Sequence, residues 1–418
     1  MQGCMHVISL LLAAALLFGL LVLTGCAVVG NGDEKVSQTE SVSVTETESE
    51  TESETETVTE TETETETETE VPTTEAETEP VFVYPDTLEE NGRDGISPEL
   101  IVPTQEGSYI NPLTGLVCTK EQSVRRPVAV MFNNIATALP QQQISAADVL
   151  YECEVEGGLT RLLGVFNEYE DLKAIGSIRS AREYYIDFAA NHDAIFVHAG
   201  GSDSAYVDLK GRAVANIDGV NGGGVTAFFY RDPQRLLTMR LEHTLVIDGD
   251  RLQQAIAYRG YRTSYSPSFQ SPLRFVGSTQ RVSLVGDLAA EANVVTVKFG
   301  SHTTTFSYDA ESMRYLRSQN GSIHIDGSTG EQLGFENMIV LFCPYSYTND
   351  DYNHITISNV GTGNGYYFTN GMYIPIKWSK SNGDAPVSLM YSSGRPLVLT
   401  PGKTNVEIVS SASRLSVQ

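Results

Sequence analysis

The sequence predicts an α+β or mixed α/β layered sandwich with a β-rich C-terminal domain, carried behind a disordered acidic N-terminal linker. Three observations lead there. Between residues 128 and 260, apolar strand-like runs alternate with segments of helical periodicity. Beyond residue 290 short β-type runs follow one another, with Asn320-Gly321 and Asn370-Gly371 as hairpin signals. Ahead of both, Thr and Glu alternate with neither face apolar, a pattern that cannot bury a core. Of the 418 residues 41% are hydrophobic, enough for one or two cores once the tails are set aside.

The apolar run VISLLLAAALLFGLLVLTGC ends in Leu23-Thr24-Gly25-Cys26. Its length meets that of a membrane span, about 20 residues. Small residues before a cysteine suit cleavage and lipid attachment better, so residues 1–25 read as a lipoprotein signal peptide and Cys26 as the lipidated first residue of the mature chain. No Lys or Arg precedes the run, only the amino terminus and His6. Residues 26–95 read as a disordered Thr/Glu-rich linker that tethers the body to the outer face of the membrane. Repulsion between glutamates extends it, and at about 3.3 Å per residue it spans up to roughly 200 Å.

The formal charge of −26 is concentrated in this tail: Asp33 and 17 glutamates against Lys35 give −17 for residues 1–80, leaving −9 for residues 81–418. Such a surface repels nucleic acid over most of its area, so no nucleic-acid partner is expected and any anion site is local. Cys118, Cys153 and Cys343 remain once Cys4 leaves and Cys26 is lipidated, and an odd number forbids a complete disulfide framework. Cys153 and Cys343 lie in apolar runs and read as buried thiols. No CxxC or HExxH spacing suggests a metal, and no cofactor is expected.

The N-terminal α/β domain is placed at residues 105–285. RPVAVMFNN reads as a strand with Pro127 at its start. DVLYECEVEGGLTRLLGVFNEY reads as a hairpin turning on Gly157 and Gly158, which sets Glu154 opposite Arg161. Glu152, Glu154 and Glu156 then share one face, and Val149, Tyr151, Cys153 and Val155 the other. The carboxylate row is either a solvated, salt-bridged face or an acid/base site. Next, GSIRSAREYYIDFAANHDAIFVHAGGSDSAYVDLKG alternates strand, helix, strand, helix. Ser180 and Glu183 have capping-box spacing, which starts a helix at Ala181 and puts Arg179 and Arg182 at its first turn. Cations there oppose the helix dipole unless an anion or carboxylate compensates. His198 ends the following strand, Gly200 and Gly201 let the chain turn, and Ser202 or Ser204 caps the second helix. Parallel strands bring both helix N-termini to one sheet edge. EHTLVID is then a strand, and DGDRLQQAIAYRGY a helix with Asp250 and Gln253 at capping-box spacing and Gly260 at its end.

Residues 265–290, rich in Ser, Pro and Gln, suit a connector to a β-rich C-terminal domain at residues 286–418. A turn at Asn320-Gly321 sets Arg317 opposite His324, with Asp326 nearby, a candidate cross-strand cluster. Trp378 with Lys380 is either a sugar-stacking platform or, for a lone Trp in a β domain, core. HAGGSDS lacks the glycines of a nucleophile elbow, and GVNGGGV is not followed by the Gly-Lys-Ser/Thr of a P-loop.

NPLTGL, RPVAVMFNN, SAADVLYECEVEGGLTRLLGVF, GSIRSAREYYIDFA and DAIFVHAGGS together resemble the YerB-like lipoprotein family of Gram-positive bacteria. RYLRSQNGSIHID, ENMIVLF, GTGNGYYFTNGMYIPIKWSK and RPLVLTPGKTNVEIV are similar to its C-terminal part. The resemblance covers about residues 110–409 and implies an exported lipoprotein with a two-part mixed α/β body. It supplies no reaction. Where family members commonly have His then Asn before a strand, this chain has His243-Thr244. Three readings stay open. In the first, the protein is a membrane-tethered binding module in which Arg179, Arg182 and the amides after Gly200 hold an anionic wall polymer or peptide, with Glu154, Arg161, Arg317, His324 and Asp326 as further candidates. In the second it is a wall-modifying hydrolase in which His198, Glu156 and Ser202 converge. In the third it is a structural or scaffolding lipoprotein whose arginines pair with Glu152, Glu154 or Glu156.

Overall fold

The computed structural model describes residues 108–348 and 350–418, together with the backbone of Val81–Val83. The expected signal peptide, the lipidation position Cys26 and the rest of the expected linker lie outside the described residues. One part of that linker departs from expectation. Val81–Val83, a β-favouring VFV triplet following the Thr/Glu run, is a strand paired in parallel with Gln280–Val282.

After a short helix α1 (Lys120–Val124), the strands β1 (Val128–Asn133), β2 (Val149–Glu154) and β3 (Thr160–Phe166) are buried at every position, as strands covered on both faces must be. Then come α2 (Glu183–Ala190), β4 (Ile195–His198), α3 (Asp203–Gly211), β5 (Asn216–Asp218), α4 (Pro233–Thr238) and α5 (Gly249–Arg259). The C-terminal half supplies β6 (Val294–Lys298), β7 (Thr303–Asp309), β8 (Arg314–Gln319), β9 (Asn337–Phe342), β10 (Gly361–Thr369), β11 (Met372–Lys380), β12 (Ser388–Tyr391), β13 (Thr404–Val409) and β14 (Leu415–Val417). The fold is mixed α/β, and its β-rich part follows residue 290.

An 11-stranded sheet runs Ala290–Glu291, β11, β10, β9, β13, β2, β3, β1, β4, β5, with β12 beside β11. The two expected domains share it. β13 lies parallel to both β9 and β2, and in this register Glu407 pairs with Glu152. Alternation along the strands then sorts the core. Met131, Tyr151, Cys153, Leu163, Phe196 and Ile408 join one cluster, which α2 and α3 cover with Tyr184, Tyr185, Phe188 and Leu209. Val130, Phe132, Leu150, Leu162, Val197 and Met338 join the other. There α5 contributes Leu252 and Ile256, while a six-stranded sheet built on β8, β7, β6 and β14 contributes Val295, Val297, Phe306 and Tyr315. Trp378 is core, 2% exposed, and Lys380 is buried beside Asn191 Oδ1 at 2.7 Å, which rules out a stacking platform at the surface. Burial lowers that ammonium to about 8. Cys153 and Cys343 are buried free thiols.

Three local expectations are corrected. In the β2–β3 hairpin Glu154 pairs with Thr160 and Arg161 with Cys153, one residue from the expected register. Both Gly157 and Gly158 have positive φ, and Val155 N–H closes the loop on Leu159 O at 2.7 Å, so five residues rather than two make the connection. This turns Arg161 onto the Cys153 face, away from Glu154. Gly158 also packs against Gly300, and Ser301 N–H reaches its carbonyl at 2.7 Å, which leaves no space for a side chain at either glycine. Second, α2 begins at Glu183 with Arg182 as its cap residue. Ala181 instead stays extended, bridged in parallel to Gly201, so Ser180 caps nothing. Third, Asp248 occupies the N-cap position of α5 without a side-chain cap bond, and Asp250 lies inside the helix, while Gly260 ends it at φ 64° as expected.

Candidate functional site

The chain does bring the two glycine-assisted corners together. Ala181 N–H bonds Gly200 O at 2.9 Å, and Ser202 N–H bonds Ala181 O at 3.3 Å. Each candidate group there already has an internal partner. Arg182, 6% exposed, grips Glu156 with Nε on Oε2 at 3.0 Å and with Nη2 on Oε1, while its Nη1 donates to Ala181 O at 2.6 Å. Arg161 shares the same carboxylate at 3.1 Å and donates to Ser180 O at 2.8 Å. Burial alone would raise Glu156, but these two guanidinium groups hold it at about 2. The Gly200 amide donates to Asp218 Oδ1 at 2.9 Å, so a carboxylate of the chain occupies the place expected for a bound anion. Ser202 caps α3 through Ala205 N–H at 3.2 Å. His198 is fully buried, with Nδ1 2.8 Å from Gly200 O and Nε2 3.3 Å from Asn216 Oδ1. Both ring nitrogens are committed, and its carboxylate neighbour is Asp218 at 3.9 Å, not Glu156. The expected convergence of His198, Glu156 and Ser202 on one reacting atom is therefore replaced by three separate bonding arrangements. Arg179 departs from Arg182 altogether: it is half-buried, and its Nη1 is 3.5 Å from Glu242 O.

A second cluster lies between the sheets. Arg317 stands opposite His324, as the Asn-Gly turn predicts, and both are buried. Arg317 Nη2 meets Glu152 Oε2 at 2.5 Å with neither side chain exposed. Glu152 also receives His302 Nε2 at 2.7 Å, Thr160 Oγ1 at 2.6 Å, Asn134 Nδ2 at 2.9 Å and Thr304 Oγ1 at 2.9 Å. Arg317 touches His324 Nδ1 through Nη1, and His324 Nε2 lies 2.7 Å from Gln141 Oε1. Burial would raise Glu152, yet Arg317 and His302 overcome it and hold the carboxyl well below its ordinary range. Its neighbour in the sheet, Glu407, goes the other way: burial first, then the charge of Glu152, push it well above that range, so it is held protonated. Glu154 faces the same side and accepts Gly300 N–H at 3.2 Å. Asp326 stands apart from Arg317, accepting Ser145 N–H at 2.8 Å and Ser328 N–H at 2.6 Å, and so ties the loop before β2 to the C-terminal half.

Sequence reading missed an open cleft of about 480 Å³ at the amino ends of β1, β4 and β5. Arg126, Asp193, Arg212, Arg262, Ser266 and Asp384 line it. Alanines 189, 190, 194, 213 and 215 leave it room. Arg262 and Arg126 converge on one carboxylate, Asp193: Arg262 directly, Arg126 through Nη2 at 3.7 Å and through Nε to the Asp193 carbonyl at 2.7 Å. Burial, then repulsion from Arg262, lowers Arg126. This wall has one guanidinium in excess. Opposite in character, Arg212 is surrounded by Asp187 at 2.6 Å, Asp384 at 2.7 Å and Asp208 at 3.5 Å. Arg126 just before β1 was a usable signal, but Asp193 and Arg262, which meet it in the cleft, lie 67 and 136 residues away in sequence. Among the described residues no group of three His, Cys, Asp or Glu is placed to hold a metal ion, and no helix is long and apolar enough to cross a membrane.

The state of Glu407 has a measurable sign. Its folded pKa is raised, so the stability it contributes is complete below the unfolded value of about 4.3 and is lost as pH rises toward the folded value, at about 1.4 kcal/mol per pH unit. Glu407→Gln keeps the shape without that loss. Thermal melting at about pH 5 and about pH 8 should show the variant gaining on wild type as pH rises. An unchanged difference between the two would mean Glu407 is not held protonated.

Comparison with known proteins agrees with this architecture. Residues 113–262 match the N-terminal domain, and residues 295–406 the C-terminal domain, described as "Protein of unknown function (DUF3048)". The chain is 30% identical over 321 residues to the Bacillus subtilis (strain 168) protein named "Putative lipoprotein YerB", covering 76% of this chain and 91% of that protein. It is also similar to the crystal structure of YerB protein from Bacillus subtilis, with a TM-score of 0.64 and 28% identity over 74% of this chain and 99% of that one. With both domains matched in order and a relative aligned over most of its length, the chain belongs to the DUF3048 family of YerB-like lipoproteins.

Proposed function

We propose that the protein is a lipid-anchored module on the extracytoplasmic face of the membrane, attached through Cys26, that binds an anionic cell-envelope ligand without transforming it. Its body is a layered sandwich of helices, main sheet and second sheet. The observation that carries the binding reading is the convergence of Arg126 and Arg262 on the single carboxylate of Asp193 in an open cleft. A carboxylate or phosphate entering there meets a guanidinium surplus and can be held by bidentate bonds. The commitment of both His198 nitrogens argues against the hydrolase reading. Arg182 and the Gly200 amide are not the seat of recognition, since they already serve Glu156 and Asp218, and Arg179 stands apart from both. The same pairing supports a scaffolding role for the Arg182 corner, which fixes the β2–β3 hairpin to α2.

Retention on purified cell wall tests the binding reading. Arg262→Ala, whose side chain is 42% exposed, should reduce retention by about tenfold or more while the melting temperature stays nearly constant. Retention unaffected by Arg262→Ala and Arg126→Ala, or lost only in step with unfolding, would remove it. For the anchor, labelling with a palmitate analogue should mark wild type and disappear in Cys26→Ala. Persistent labelling of that variant would overturn the assignment.

A further inference from the structure

α4 and the 3-10 turn Leu241–His243 are fixed to the body and yet leave their leucines exposed. Asp232 caps α4 by accepting Gln234 N–H at 2.8 Å and Arg235 N–H at 2.9 Å, and Pro233 sets the first turn. Arg235, 5% exposed, reaches inward to Ala138 O at 2.6 Å, Pro140 O at 2.7 Å and His243 O at 2.8 Å. With that face of the helix fixed to the body, Leu236, Leu237 and Leu241 are left 45%, 77% and 61% exposed. Scattered exposed leucines need no explanation, but three within six positions on a fixed segment form an apolar patch.

The charges around the patch are unusual for this chain. Arg179 and Arg231 reach the Leu241–His243 turn, Arg240 is its cap residue, and none of the three forms an ion pair among the described residues. Arg231 Nη1 donates to Leu241 O at 2.6 Å and Arg179 Nη1 lies 3.5 Å from Glu242 O, so two of them are oriented by backbone carbonyls of the same turn. Glu242 faces His243 at 3.4 Å, and Asp232 is used as the helix cap. Three arginines thus outnumber two carboxylates beside these leucines, in a protein whose formal charge is −26.

We propose that this segment is a contact site for an anionic lipid bilayer surface, with the leucines entering the headgroup–acyl boundary and the three guanidinium groups meeting lipid phosphates. It goes beyond ligand binding but rests on the membrane-tethered reading, because the tether supplies the high local concentration that a small patch needs. Charge complementarity selects the bilayer over the other occupants. The Thr/Glu segment of the same chain complements the arginines and offers nothing to the leucines, and a second copy would bring the same arginines against themselves. A bilayer of anionic lipid answers both features. The contact would also orient the body, with the Arg126–Arg262 cleft, on a different part of the surface, left open to the wall.

The test uses residues 27–418 attached by an N-terminal hexahistidine to vesicles carrying a nickel-chelating lipid, so that it does not depend on acylation of Cys26. Amide exchange over residues 233–243 is compared on phosphatidylglycerol-rich and on pure phosphatidylcholine vesicles. The expected result is exchange slowed by about tenfold on the anionic vesicles alone, reversed by Leu237→Ser with Leu241→Ser and weakened by high salt. These two leucines are exposed, and an unchanged melting temperature confirms that the variant remains folded. Exchange equal on both vesicles overturns the proposal. So does protection without vesicles, whether it scales with protein concentration, which indicates a second copy, or is abolished by salt, which indicates the acidic segment. Palmitate labelling that persisted in Cys26→Ala would leave this result untouched, so the two readings fail separately.

Discussion

The ion pair between Glu152 and Arg317 ties the molecule together. One partner lies on β2 in the N-terminal half and the other on β8 in the C-terminal half, and both are fully buried. Burying two charges costs several kcal/mol per ion unless geometry and hydrogen bonds compensate. Here Glu152 receives His302, Thr160, Thr304 and Asn134 besides Arg317, so the compensation needs both sheets in place at once. That requirement also makes sense of β13, which brings Glu407 beside Glu152 in a parallel register. A second ionised carboxylate there would be intolerable, and the chain avoids it by holding Glu407 protonated.

The same accounting separates the surviving candidate site from the discarded ones. At the Arg182 corner every charge is met inside the protein, since Glu156 answers two arginines and Asp218 fills the Gly200 amide. At the Asp193 wall of the cleft the balance is incomplete, with two guanidinium groups against one carboxylate. Recognition of an anion needs such an excess. The cleft also sits at the amino ends of β1, β4 and β5, whereas α/β sheets usually bind ligands at the carboxyl ends. Here the carboxyl ends of β4 and β5 are closed by His198 and Asp218, which both bond the Gly200 corner.

What the sequence revealed was mostly local. Asn320-Gly321 set the register that puts Arg317 opposite His324, and Gly260 marked the end of α5. The alternation Val149, Tyr151, Cys153 against Glu152, Glu154 assigned the faces of β2 correctly. The hairpin register was missed because two consecutive left-handed glycines lengthen the connection, and one residue of slip moves Arg161 to the other face. The Ser180–Glu183 spacing misled because a tertiary bridge from Ala181 to Gly201 outweighed a local cap. The pairing of β13 with β2, the shared Asp193 and the Asp218–Gly200 bond depend on residues far apart in the chain, and no periodicity or motif announces them.

A double-mutant cycle on Glu152→Gln and Arg317→Met, followed by denaturant unfolding, tests the central claim most directly. Each single change should destabilise by about 3–5 kcal/mol, because it leaves the partner buried and uncompensated, and the double variant should lose much less than their sum. Losses that add within about 0.5 kcal/mol would contradict the view that this pair joins the two halves.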